Sequence, residues 1–393
     1  MNLRILLVDD EPSVLNAMRR MLHIMKNEWK IYTVVSGEQA LNSLNNGEFD
    51  MIITDMKMPG MNGAELLQKV KEQHPSVIRI VLSGYSDNDL ILKSSNFAHQ
   101  FLAKPLEAET LKEKIELIYT LQTHLNNKEI ANLVNGIKNL PTLPSVYLQI
   151  EEEIRKPDSS LKVIEHIISK DIVMTTKILQ IVNSAYFGLP QIIINPLQAL
   201  NFLGIDILKS LVLVVHLFSV EKDSQYLNEQ IALLSENSFK VAELSKKIAI
   251  KLSTNMKFVE EVFTGALLHN IGKLVIWQLD DYFAKIDSEK KKNNVSDYEG
   301  EYNVFNTSHA EIGAYLLGIW GLPTSLIEIA CYHHKPSDSI NRQISPLTIV
   351  HAANHILFND ELDLKYIDEL SLSAEIPKWA LLNKEGGNNT EPA

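Results

Sequence analysis

One cysteine, Cys331, stands among 393 residues, so an internal disulfide is excluded and a reducing cytoplasm is the expected compartment. Basic side chains are in deficit as well. Thirty-seven Lys and Arg face 49 Asp and Glu, a net charge of −12, which argues against non-specific attraction to nucleic acid. Long apolar runs are missing. The longest, Leu211 to Val220, is too short to span a bilayer and carries His216, so it reads as a buried core helix. The amino terminus enters a strand pattern with no basic segment and apolar core ahead of it, and no secretion signal is expected. What remains is a globular composition, 45% hydrophobic and 22% charged, in a chain long enough for two or three domains with sizeable cores.

Residues 1–106 alternate short apolar strands with amphipathic helical stretches, the βαβ pattern of a parallel sheet. Strands are expected near 4–8, 31–35, 51–54, 78–82 and 100–103, with Ser36 and Gln39 as a capping box opening the second helix. Three strand ends carry the chemistry. Ile5-Leu6-Leu7-Val8 runs into Asp9-Asp10, Met51-Ile52-Ile53-Thr54 into Asp55, and Phe101-Leu102-Ala103 into Lys104-Pro105. Neighbouring strands of a parallel sheet present their carboxyl ends at one edge, where ligands bind. One acid at a strand end is ordinarily a turn residue or helix cap. Three acids and a lysine on successive strands converge. Acids so placed repel unless a cation sits among them, and hard oxygen donors with open water positions suit Mg²⁺. A lysine beside them supplies a point charge for a phosphoryl group.

Residues 1–125 therefore resemble the receiver domain of two-component response regulators, with its flavodoxin-like, doubly wound, five-stranded parallel sheet. The resemblance implies Asp55 as phosphoacceptor. It implies Asp9, Asp10 and Asp55 with the backbone carbonyl of Lys57 as Mg²⁺ ligands, and Ser83, Phe101 and Lys104 as the switch residues. Where the family often has Tyr, Phe101 keeps the packing role without the hydroxyl. Residues 106–125 have a helical period that closes this domain and leads into a helical connector, 126–138.

Beyond the connector the strand pattern stops. Helices are expected at 145–155, 160–168, 171–182, 196–220, 229–252, 258–268 and 309–318, and an exposed loop over the Lys- and Asn-rich segment Asp280 to Gly300. The stretch 359–393 reads as a carboxyl-terminal extension, Gly/Asn-rich and disordered from about Lys384. The blocks Leu140-Pro141-Thr142-Leu143-Pro144, Asn183-Ser184-Ala185-Tyr186-Phe187-Gly188 and Leu267-Leu268-His269-Asn270-Ile271-Gly272-Lys273 mark 139–358 as similar to the HDOD domain, an all-α relative of the HD phosphohydrolases. In catalytic relatives, His and Asp side chains hold metals that generate hydroxide. Here the naming His-Asp pair is His269-Asn270, and the alignment puts Asn237 and Asn354 at two more ligand positions, while His269, His309, His333 and His334 remain. Amides replace compensating anions, so no metal is expected in this domain and the hydrolase site is expected to be inactive. His333 and His334 would equally suit a helix carboxyl terminus, where imidazolium is favoured.

The resemblances together imply a cytoplasmic response regulator. A sensor histidine kinase would phosphorylate Asp55, and a non-catalytic HDOD output would signal through contacts with an output protein whose identity the sequence does not give. No nucleic acid and no membrane insertion are implied, and the amphipathic connector leaves room for a homodimer. The competing reading is a receiver-controlled, metal-dependent phosphohydrolase acting on a cyclic dinucleotide or another phosphoester, though no Gly-Tyr-Pro follows His333-His334. A DNA-binding regulator is disfavoured, because the chain is acidic and its carboxyl-terminal part is too long and apolar for a small helix-turn-helix module.

Overall fold

The computed structural model describes residues 3–22, 29–83, 97–104, 111–117, 120, 145–170, 174–175, 178–179, 182, 193–218, 225–279 and 281–384. Two compact units make up the chain, Met1–Gln149 with Gly318–Gly321 and Ile150–Leu317 with Leu322–Ala393.

The first unit is a five-stranded parallel sheet, β1 (Leu3–Val8), β2 (Trp29–Val34), β3 (Met51–Asp55), β4 (Ile78–Ser83) and β5 (Gln100–Ala103), in the order β2-β1-β3-β4-β5. Helices α1 (Pro12–Leu22), α2 (Gly37–Asn46) and α3 (Gly63–Gln73) alternate with the strands. Every residue of β3 is buried, as an apolar run covered on both faces requires, whereas edge strand β2 exposes Lys30, Tyr32 and Thr33 and buries Trp29. One core lies on the face carrying Leu6, Val8, Ile52, Val81, Leu44, Leu66 and Val70. The five strands fall where the sequence puts them. The capping box at α2 is altered in one bond. Ser36 Oγ accepts the Gln39 N–H at 3.3 Å, but Gln39 returns its bond to the N–H of Val35, one residue early.

From residue 145 the described chain is helical. Its elements are α4 (Ser145–Ile154), α5 (Leu161–Ser169), α6 (Pro196–Leu203), α7 (Ile205–Phe218), α8 (Gln225–Leu252), α9 (Met256–Leu268) and α10 (Lys273–Ile276). Then come α11 (Tyr282–Asn293), α12 (Asp297–Phe305), α13 (His309–Ile319), α14 (Thr324–Tyr332), α15 (Pro346–Phe358), α16 (Leu364–Glu369) and α17 (Ile376–Lys384). Helices α8, α9 and α15 pack on one another, and their Val241, Ala242, Ile248, Val262, Ala266, Ile349 and Ala353 are buried. Among the described residues, no helix is long and apolar enough to cross a membrane.

Two expectations are corrected. The single helix over 196–220 is two, because Gly204 takes φ +81° and breaks the turn between α6 and α7. The exposed loop over Asp280 to Gly300 is α11 and the start of α12. Its lysines cover the outer face of α11 while Tyr282 and Ile286 are buried beneath, and Ser296 and Glu299 form a complete capping box for α12. Low mean hydropathy concealed a helix with one narrow buried stripe. The connector 126–138, the Leu140–Pro144 block, the Asn183–Gly188 block and residues 385–393 lie outside the described residues.

Candidate functional site

In the sheet, register does the assembling. Val8 pairs with Thr54, Asp55 with Leu82 and Ser83 with Ala103, so Asp9, Asp55, Ser83 and Lys104 end on one edge. Lys104 Nζ lies 2.5 Å from Asp55 Oδ1 and 3.1 Å from Asp9 Oδ2. The second oxygen of each acid is held by backbone: Asp9 Oδ1 accepts the Glu11 N–H at 2.9 Å, and Asp55 Oδ2 accepts the Lys57 N–H at 3.0 Å. Burial alone would lower the pKa of Lys104, but hydrogen bonds and charge from Asp55 and Asp9 outweigh it and hold the ammonium above its usual range. Two carboxylates, 2% and 9% exposed, share this one cation, and exposed Asp10 adds a third negative charge. The surplus is anionic and every donor is a hard oxygen, so the residues fit Mg²⁺.

Phe101 is half-buried against the sheet's core face. Ser83 ends β4, and its side chain lies outside the described residues. Sequence reasoning missed Gly63. A Cβ there would run into the backbone carbonyl of Asp55, so the start of α3 can close on the acceptor strand only as glycine.

In the helical unit four histidines meet. His269 caps α9, His309 begins α13, and His333 caps α14 with His334 following. Ring centroids are 4.9 Å apart for His269 and His333, 5.6 Å for His309 and His333, and 4.1 Å for His333 and His334. Gly272 makes this approach possible, since a Cβ there would strike the carbonyl of His309. The Nδ1 atoms are tied outward. His309 Nδ1 bonds Glu301 Oε2 at 2.6 Å, His269 Nδ1 the Ala266 carbonyl at 2.6 Å, and His333 Nδ1 the Ala330 carbonyl at 3.0 Å. His309 Nε2 and His334 Nε2 are 3.0 Å apart, and His333 Nε2 is buried with no partner.

Burial depresses His269, His333 and His334. His269 is lowered to about 3, chiefly by burial, with the Ala266 carbonyl and Asn354 side chain acting in the opposite direction. His333 and His334 fall well below the usual value, first through burial and then through neighbouring histidines. Burial thus opposes the imidazolium that a helix terminus would favour at His333 and His334.

The amide positions divide. Asn270 Nδ2 lies 2.7 Å from His269 Nε2 while its Oδ1 is buried without a partner, and Asn354, 4% exposed, reaches the same ring. Asn237 is only half-buried on α8, and the next residue, Ser238, turns inward at 1% exposure.

The residue not foreseen is Glu301. It is wholly buried, accepts from Tyr282 Oη at 2.5 Å and from both the backbone N–H and ring of His309, and directly follows the segment misread as loop. Burial would raise its carboxyl, yet the His309 ring and these hydrogen bonds hold it below the usual range. The Ser296-x-x-Glu299 signature was the available signal for the helix that carries it. His309, His334 and Asn270 line an open cavity of about 840 Å³ whose other walls include Lys273, Tyr298, Tyr302 and Asp360.

Comparison with known proteins assigns both halves. Residues 5–116 match the response regulator receiver domain and residues 140–336 the HDOD domain. An uncharacterized protein of Treponema pallidum is 27% identical over 53% of this chain, and the match spans only 40% of that protein. Sporulation initiation phosphotransferase F of Bacillus subtilis is 26% identical over 32% of this chain and 99% of its own length. A solved structure from Shewanella amazonensis, titled a putative phosphohydrolase, superposes with a TM-score of 0.51 at 23% identity, covering 65% of this chain and 94% of that one.

Proposed function

Because the chain belongs to the HDOD domain family and carries a response regulator receiver domain ahead of that domain, we propose that it is a response regulator. In this reading Asp55 accepts a phosphoryl group from a histidine kinase and the HDOD domain signals through contact with an output protein, without hydrolysis. The observation that carries this reading is the Asp9–Lys104–Asp55 bridge. Asp9, Asp10, Asp55 and the Lys57 carbonyl would hold Mg²⁺, which when bound neutralises the carboxylates and the incoming phosphoryl oxygens. The Lys57 N–H and Lys104 orient the Asp55 carboxylate, leaving it aligned for in-line attack. Lys104 then passes from carboxylate to phosphoryl oxygen. Ser83 and Phe101 are proposed to follow this movement, with the receiver taken as 1–125, the connector as 126–138 and the output domain as 139–358.

Against hydrolysis stand Asn270 and Asn354, neutral at positions where a metal-bridging acid would be needed, and Glu301, which is turned to the outer nitrogen of His309. Incubation with acetyl phosphate and Mg²⁺ should add one phosphoryl group per chain, and Asp55→Asn should abolish it. Full labelling of that variant would sink the assignment.

A further inference from the structure

The corner where α8 turns into α9 differs in charge from the chain around it. Residues 244–259 hold four lysines, Lys246, Lys247, Lys251 and Lys257, and no acid, in a protein whose net charge is −12. We propose that this corner, through Ile250, Lys251, Leu252, Met256 and Lys257, docks on the surface of an anionic lipid bilayer.

Single exposed apolar side chains are ordinary on a protein surface, but three within seven residues of one helix corner make a patch. Ile250 is 55%, Leu252 42% and Met256 58% exposed. From Ile250 to Lys257 every residue except Ser253 is exposed, so the corner stands proud of the helices behind it. It is also firmly built. Ser253 Oγ accepts the Asn255 N–H and Asn255 Oδ1 accepts the Lys257 N–H, both at 3.1 Å, capping α9. Ile248, Ala249 and Val259 are buried beneath it. Because the backbone is already fixed, little ordering entropy is lost on docking.

The charges are placed as a bilayer surface needs them. Glu243, the acid before this stretch, pairs with Lys247 at 2.7 Å, and Glu260, the acid after it, faces Lys246. Lys246 also lies over the ring of Phe263, 5.6 Å from its centroid. Lys251 and Lys257, nearest the turn, are exposed and form no ion pair among the described residues. Apolar side chains interleaved with ammonium groups let the first enter the headgroup layer while the second meet lipid phosphates. The chain's overall negative charge weakens this little, because exposed charges more than about 8 Å away are screened at physiological ionic strength.

A protein partner fits this corner less well. Specific protein interfaces draw on about 20–30 residues a side and a shape-matched patch. The corner offers seven exposed residues on a convex tip. A bilayer requires no matching shape. The mode is attachment to the surface, with the apolar side chains at headgroup depth and no helix crossing the membrane.

The test is sedimentation of the full chain with vesicles of phosphatidylcholine alone and of equimolar phosphatidylcholine and phosphatidylglycerol. The chain should bind the mixed vesicles. Binding should fall as salt rises from about 0.1 M to about 1 M, where the Debye length shrinks from about 10 Å to about 3 Å. Lys251→Gln and Lys257→Gln should each weaken it about 5-fold. Ile250→Ser and Met256→Ser should each weaken it about 5- to 10-fold, as expected for losing the burial of half an apolar side chain. All four side chains are exposed, so circular dichroism and melting temperature should stay at wild-type values. Absence of binding to the mixed vesicles overturns the proposal, as does equal binding to phosphatidylcholine alone or binding that these variants leave unchanged. Lipid-free self-association that Met256→Ser abolishes would also overturn it, by assigning the corner to a second copy of the chain. Failure here leaves acetyl phosphate labelling of Asp55 untouched, so the two readings fail separately.

Discussion

Replacing Lys104 with Met would leave two carboxylates on one sheet edge with no cation between them. A fully buried ion pair costs about 3–5 kcal/mol when one partner is removed, and an exposed one under about 1 kcal/mol. The Lys104 side chain is 33% exposed, while Asp9 and Asp55 side chains are 3% and 12% exposed, so the pair lies between these limits. Lys104→Met is therefore expected to destabilise the metal-free receiver by about 2–3 kcal/mol, or about 30- to 150-fold in local opening. Mg²⁺ should offset most of this, because an ion among the same oxygens replaces the lost charge; at a hundred times its dissociation constant a ligand adds about 2.7 kcal/mol. Hydrogen exchange of peptides covering β1 and β3 in the full chain, with chelator and then with Mg²⁺, measures both arms. Equal protection in variant and wild type under chelator would refute the view that Lys104 is the counter-ion of this cleft. Loss that Mg²⁺ cannot restore would instead show that the lysine acts by packing.

Three further outcomes are expected. His99 is fully buried, its Nδ1 accepting the Arg79 backbone N–H at 3.1 Å and its Nε2 lying 2.8 Å from Arg79 Nη2, and burial first, then Arg79 and Lys71, holds its pKa well below 6.5. Below pH 6.5 the unfolded ring gains a proton that the folded ring refuses. Receiver stability should therefore be full above that pH and fall beneath it by at most about 1.4 kcal/mol per unit, read by exchange of peptides covering β4 and β5. If protection there is flat from pH 7 to pH 5, the ring is not held neutral. Gly63→Ala should cost about 1–3 kcal/mol, because the methyl meets backbone at Asp55, and it should slow acetyl phosphate labelling; normal labelling and stability would contradict the close approach. Tyr282→Phe removes a donor from buried Glu301 and should cost the helical unit about 1–3 kcal/mol in thermal or urea unfolding, a loss that an unchanged transition would disprove.

Much of the receiver was legible because its information is local. Strands of period and length fit for a buried parallel sheet end in charged residues, and parallel pairing alone brings those ends to one edge. Gly63 was not legible there, since its necessity comes from a carbonyl eight residues earlier that only the packing of α3 on β3 brings near. The helical domain was legible as helices and as a family. Its histidines were legible as candidates, because four survive at the expected blocks. Their partners were not. Glu301 directly follows a polar segment whose charge suggested solvent, and its burial depends on α12 folding back on α11 and meeting the first turn of α13.

Both folds and the acid–lysine edge follow from the chain itself, as do the amides at Asn270 and Asn354. Periodicity, strand ends and side-chain identity are properties of the chain alone. Helix packing settles which ring nitrogen of His309 meets a carboxylate, that Ser238 and not Asn237 turns inward, and that Glu301 is buried behind His309. Ring orientation is set by hydrogen bonds to atoms that become neighbours when helices pack, and no spacing along the chain encodes that distance.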